Sequence, residues 1–132
     1  DSHVMLHTYF VVRKCSMDEF VTKWCEVYNS ADTERLKLLY YGCSINEAEN
    51  KVMCREGFMD VEGMMLHLRD AAEKVKELMR LGGLEFMGAS GPAEEMRKLK
   101  QSNLITFPNT SYYSIDTCCS HWLCDMPCNW DM

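Results

Sequence analysis

Two residues able to move protons fall close together in the middle of the chain. Glu56 stands on a run with strand alternation, and His67 follows on a run with helical spacing. A carboxylate on a half-buried strand can orient an imidazole or take a proton from a bound substrate. In a purely structural role, Glu56 would pair with Arg55 or a lysine and His67 would be a satisfied histidine on a helix flank. A second group sits at the C-terminal end, where Cys118, His121, Cys124 and Cys128 supply the soft donors that tetrahedral zinc prefers. Their spacing matches no zinc-knuckle pattern, so disulfides or free thiols are the competing readings.

Positioning Glu56 and His67 requires a strand that runs directly into a helix. In residues 51–59, Val52, Cys54, Glu56 and Phe58 share one face, and Met53, Arg55, Gly57 and Met59 the other. Asp60 has the character of an N-cap, with Glu62 in the first turn. The stripe Val61, Met64, Leu68, Ala71, Val75, Leu78 predicts one long helix over 60–80, stopped by Gly82 and Gly83. His67 borders that stripe.

Upstream, residues 3–13 are β-branched and aromatic and read as a first strand. Ser16 and Glu19 form a capping box for a helix to about residue 33, which buries Phe20, Trp24, Val27 and Tyr28. Residues 38–45 read as the second strand, with a polar hairpin at 46–50 leading into the third. Residues 84–89 read as the fourth, followed by a short helix opened by Pro92. Residues 104–107, with 112–115, read as a final extended segment broken at Pro108. The order β-α-β-β-α-β is that of a ferredoxin-like α+β sheet with two main helices on one face. Strands one and two are apolar on both faces, so the bare face predicts a second copy of the chain, a homodimer.

Composition narrows the function. The chain has 132 residues and a net charge of −6, and no basic run is long enough for a phosphate backbone, so nucleic acid is not expected. No apolar run reaches membrane-spanning length, so no membrane partner is expected. Of eight cysteines, four crowd into the last fifteen residues, which is unlike a secreted disulfide framework and predicts a cytoplasmic protein. The Asn109-Thr110-Ser111 sequon carries little weight in that compartment. There is no P-loop, dinucleotide fingerprint or nucleophile elbow. Tyr40, Tyr41, Trp24 and His7 could line an aromatic pocket for a flat ligand, although a plain core would contain the same residues. Residues 1–116 read as the domain and 117–132 as a Cys-rich tail.

The run Glu56-x-Phe58-x-Asp60-x-Glu62-Gly63-Met64-x-x-His67-Leu68 resembles the strand–helix signature of the antibiotic biosynthesis monooxygenase family. The later LEFMGASGPAEEMRKLK resembles a branch of it. The resemblance implies a dimeric α+β barrel and a cleft between sheet and helices with His67 at its edge. Members working without a bound cofactor typically use an Asn on strand one, a Trp on strand three and the helix His. Those positions fall here on Tyr9, Phe58 and His67, so only the histidine is kept. The implied activity is oxygenation of a quinol or polycyclic aromatic without bound metal or flavin. His67 and Glu56 would handle protons, Tyr9 would donate to a substrate oxygen, and Phe58, Tyr41, Trp24 and His7 would hold the ring. The alternatives are a non-catalytic dimer carrying a hydrophobic ligand such as haem on His67, and a structural protein whose function lies in the tail.

Overall fold

The computed structural model describes residues 2–115. Strand β1 (Val4–Val12) alternates as its sequence dictates, so Val4, Leu6, Thr8, Phe10 and Val12 are buried. Strand β3 (Lys51–Phe58) lies antiparallel beside it, with Val52, Cys54, Glu56 and Phe58 buried on the same side. Strand β2 (Leu38–Asn46) forms one edge, and β4 (Gly82–Gly91) flanks β1 on the other side. The order β2-β3-β1-β4 is the ferredoxin-like sheet that the element order predicted, and a fifth strand, β5 (Thr110–Ser114), extends it parallel to β4. The fold is α+β with a mixed sheet.

Helix α1 (Met17–Asn29) starts where Ser16 accepts the Glu19 amide, a cap worth about 1 kcal/mol. It buries Phe20, Trp24, Val27 and Tyr28, each side chain contributing about 1.5–3 kcal/mol. It ends at Asn29, four residues short of the expected limit, because the chain turns through Asp32, whose carboxylate accepts the Arg35 amide. Lys37 then takes a left-handed conformation (φ 53°) and its ammonium holds Asp60 at 2.7 Å. Asp60 in turn caps the next helix through the Gly63 amide, so the start of β2 and the helix carrying His67 are tied together.

The single long helix expected over 60–80 is two helices, α2 (Val61–Asp70) and α3 (Ala72–Leu81), meeting at Ala71. α2 packs on α4 (Ala93–Ser102) while α3 packs on α1 and β4, and the bend lets each half follow its own neighbour. Gly82 is also not a left-handed cap. It is extended (φ −134°) and opens β4 directly, at a point where a Cβ would lie 2.9 Å from the Phe20 ring. Residues 104–107 are not a strand; pairing begins at Thr110.

The core is divided. One buried cluster joins Phe10, Phe20, Trp24, Tyr28, Val52, Cys54, Ala71 and Leu78; another joins Val4, Leu6, Phe58, Met64, Met87, Met96 and Leu99. Between them in sequence on their own elements stand Thr8 on β1, Glu56 on β3 and His67 on α2, all buried. A polar seam therefore crosses the core. The opposite face of the sheet carries Tyr9, Tyr40 and Tyr113, each at least a third exposed, as the sequence predicted for a bare apolar face.

Candidate functional site

Four elements, β1, β3, α1 and α2, each contribute one polar residue at a position their pattern reserves for the core. Thr8 interrupts the Val-Leu-Phe face of β1 and pairs in register with Cys54. Glu56 interrupts the Val52-Cys54-Phe58 face of β3. His67 lies one turn after Met64 on α2, and Tyr28 closes the buried stripe of α1. Three of these four meet.

The Tyr28 hydroxyl lies 3.2 Å from His67 Nε2, and Glu56 Oε2 lies 3.5 Å from the same nitrogen. The Glu56 and His67 side chains are only 7 % and 5 % exposed, so their interaction is weakly screened by water. At 3.5 Å the Glu56–His67 approach is an ion-pair distance, and Glu56 Oε2 has no hydrogen-bond partner, an uncommon state for a buried carboxylate oxygen. Burial, and then the neighbouring Glu56 carboxyl, push the Tyr28 phenol far above its ordinary range. Tyr28 therefore stays a phenol and acts as a hydrogen-bonding group rather than an anion.

Aromatic rings wall this cluster. Tyr28 stacks on Tyr41 with centroids 4.3 Å apart and planes at 7°, and on His67 at 5.1 Å. Trp24 lies 5.1 Å from Tyr28 and 5.9 Å from Tyr41, and Phe58 lies 5.5 Å from His67. The aromatic wall expected from Phe58, Tyr41 and Trp24 is thus assembled around His67.

Two of the sequence-predicted residues are elsewhere. Tyr9 pairs with Met53 and His7 with Arg55, on the bare face of the sheet, whereas Glu56 and Phe58 face the helices. Alternation along β1 allows no other outcome, because residues 7 and 9 point away from 6, 8 and 10. The β1 residues that reach the cleft are Leu6, Thr8 and Phe10. Cys118, His121, Cys124 and Cys128 lie outside the described residues.

Beside the cluster is a cavity of about 40 Å³, lined by Thr8, Trp24, Glu56, His67 and apolar side chains. It has room for about one water molecule. Leu68, Val75, Leu84 and Met87 form its wall and also line a larger apolar groove of about 340 Å³, bounded outside by residues 104–108 and rimmed by Lys76. That groove has the size of a small-molecule site. On its other flank His67 lines a polar pocket of about 210 Å³ with Asp32, Arg35, Asp70 and Lys74. The imidazole thus lies between the small inner cavity and a charged rim.

This architecture recurs in solved structures. MupZ from Pseudomonas fluorescens superposes with a TM-score of 0.74 at 26 % identity, over 92 % of this chain and 96 % of that one. SnoaB from Streptomyces nogalater, a cofactor-independent oxygenase, superposes with a TM-score of 0.58 at 13 % identity, over 67 % of this chain and 91 % of its own. A protein provisionally assigned as an antibiotic biosynthesis monooxygenase from Chloroflexus aurantiacus gives 0.57 at 14 % identity, over 70 % and 94 %. The chain has the antibiotic biosynthesis monooxygenase fold. No family model matches the sequence, and no curated protein does.

Within the antibiotic biosynthesis monooxygenase fold, the sequence-predicted cleft between sheet and helices is where Glu56, Phe58 and His67 converge. Tyr28 was the residue that sequence reasoning assigned to packing alone. Its signal was present: a buried phenol on an apolar stripe needs a polar partner. A haem on His67 does not suit this site. Its Nε2 is already engaged by Tyr28 and Glu56, and the adjoining cavity is far smaller than a macrocycle.

Proposed function

We propose that the protein is a small oxygenase of a planar quinol or polycyclic aromatic, working without a bound metal or flavin. The observation that carries this reading is a buried carboxylate–imidazole–phenol cluster separated from an apolar groove by the shared wall of Leu68, Val75, Leu84 and Met87. An apolar aromatic would enter between α3 and residues 104–108 and displace the adaptable side chain of Met87 to approach His67. Glu56 and His67 would take the proton of the ionising substrate, whose own electrons then reduce oxygen. Tyr28 would hold the imidazole through a hydrogen bond that its high pKa preserves. The polar pocket on the far side of His67 gives that proton a way to solvent.

The fold shared with SnoaB supports this reading, since that protein is a cofactor-independent oxygenase. The family's strand-one Asn position falls on Tyr9, which lies on the bare face, so hydrogen bonding to the substrate oxygen would fall to Tyr28 or His67. The exposed tyrosines of the bare face support a homodimer, and the cysteine usage supports a cytoplasmic setting. Among the described residues no helix is long and apolar enough to cross a membrane.

The test is oxygen uptake in chelator-treated buffer with a panel of air-stable polycyclic quinols. We expect uptake with the wild type, and its loss in His67→Ala and Glu56→Gln but not in Tyr9→Phe. Absence of uptake across the panel, or uptake indifferent to both cleft substitutions, overturns the assignment.

A further inference from the structure

Cys43 and Cys54 face each other across the β2–β3 pair, in direct register, with Sγ atoms 3.6 Å apart. Directly opposed residues of antiparallel strands have Cα atoms about 4.5–5.5 Å apart, inside the range a disulfide spans. Closing the sulfurs to about 2.05 Å is then a matter of side-chain rotation rather than strand movement. The two thiols differ in reach. Cys54 is fully buried, whereas Cys43 is half-buried on β2, an edge strand of the sheet. Contact with Cys43 and then burial push the Cys54 thiol up, so Cys54 is the poorer first nucleophile.

We propose that Cys43 and Cys54 are a peroxide-sensitive dithiol that closes to a reversible cross-strand disulfide. This inference stands apart from the proposed activity. The Cys43 thiol releases its proton and, as thiolate, attacks a hydroperoxide oxygen; the O–O bond breaks, Cys43 becomes a sulfenic acid, and the remaining oxygen fragment takes up that proton and leaves as water or alcohol. Cys54 then attacks the Cys43 sulfur, the S–O bond breaks, and the Cys54 proton leaves with that oxygen as water. Two electrons pass from the thiol pair to the peroxide, and one disulfide forms. The consequence reaches the cleft, because Tyr41, two residues before Cys43, stacks on Tyr28, and Glu56 is two residues beyond Cys54. Oxidation would lock together the two strands that carry these residues. Cys25 on α1, also half-buried, is the rival partner for Cys43.

The sequence makes the test direct. Trypsin places Cys43 in the peptide 38–51 and Cys54 in 52–55. The full-length protein is treated with stoichiometric hydrogen peroxide, alkylated under denaturing conditions and digested without reductant. We expect most of the Cys43 alkylation to be lost and a linked 38–51/52–55 species to appear, which dithiothreitol removes. Cys43→Ser should abolish that species and Cys25→Ser should leave it. Full alkylation of Cys43 after peroxide, its linkage to Cys25 or any other cysteine, or its recovery as sulfinic acid overturns the proposal. Peptide mapping of the wild type alone separates these outcomes, whether or not a variant folds.

Discussion

Replacing His67 by Leu tests whether the buried cluster is an energetic unit. The substitution keeps an apolar side chain of similar bulk but removes the imidazole facing Glu56, whose Oε2 already lacks a hydrogen-bond partner. Breaking a buried pair from one side costs about 3–5 kcal/mol. Because Tyr28 remains beside the carboxyl group, the lower end applies, about 3 kcal/mol. With a urea m-value of about 2 kcal/mol/M for a chain of this size, the unfolding midpoint should fall by roughly 1.5 M. Glu56→Leu alone leaves His67 with the Tyr28 hydroxyl and should cost about 1 kcal/mol. If the two effects were independent, the double variant would lose about 4 kcal/mol. We predict instead that Glu56→Leu/His67→Leu loses only about 2 kcal/mol, since it joins the two apolar clusters with no stranded charge and leaves the Tyr28 hydroxyl without these partners. Urea titration followed by far-UV circular dichroism measures all four corners of the cycle. Additive losses would refute the argument that the pair is coupled.

Three further outcomes are expected. Above pH 10, the ordinary phenol value, the unfolded chain releases the Tyr28 proton and the folded chain retains it, so this residue's contribution to stability is lost as pH rises, by about 1.4 kcal/mol per unit. Denaturation across pH 9–12 should show that slope in the wild type and not in Tyr28→Phe, and equal slopes would contradict the burial of the phenol. Gly63→Ala, normally worth about 1 kcal/mol in a helix, should instead destabilise by about 2–3 kcal/mol, because the new Cβ would lie 2.1 Å from the Leu36 carbonyl oxygen; thermal melts decide the sign. If the proposed homodimer forms through the bare face, the wild type sediments with twice the chain mass and Tyr9→Glu halves it while leaving far-UV circular dichroism unchanged; an unaltered mass would overturn that contact.

Much of this was legible because period and face are linked. Alternation in residues 51–59 placed Glu56 and Phe58 on one buried side, and Asp60 capped the following helix as its type and position required. The same rule, applied to β1, would have put Tyr9 and His7 on the far face. The family pattern sets its Asn at Tyr9 instead, and a one-residue offset in a strand reverses the side. The bend at Ala71 left no local mark, since no Pro or Gly stands there; it answers to α1 and α4, which are distant in sequence. Tyr28 was hidden for the opposite reason. Its helical spacing was so regular that the hydroxyl was absorbed into the core, although its two partners, Glu56 and His67, each stood as a polar residue on an apolar face.

The polar seam through the core also bears on how this protein can change. The two apolar clusters share no buried member, although Leu38 and Leu84 pack against both, and they hold different members of the site, Tyr28 and Trp24 in one, Phe58 and Met64 in the other. Substitutions in separate clusters share few neighbours, so their effects on stability should sum to within a few tenths of a kcal/mol. Reshaping the groove wall at Met87 or Phe107 therefore need not disturb the stack that Tyr28 makes with His67. Variation can accumulate in one half while the other keeps its geometry, and the apolar groove can diverge without rebuilding the buried polar cluster behind its wall.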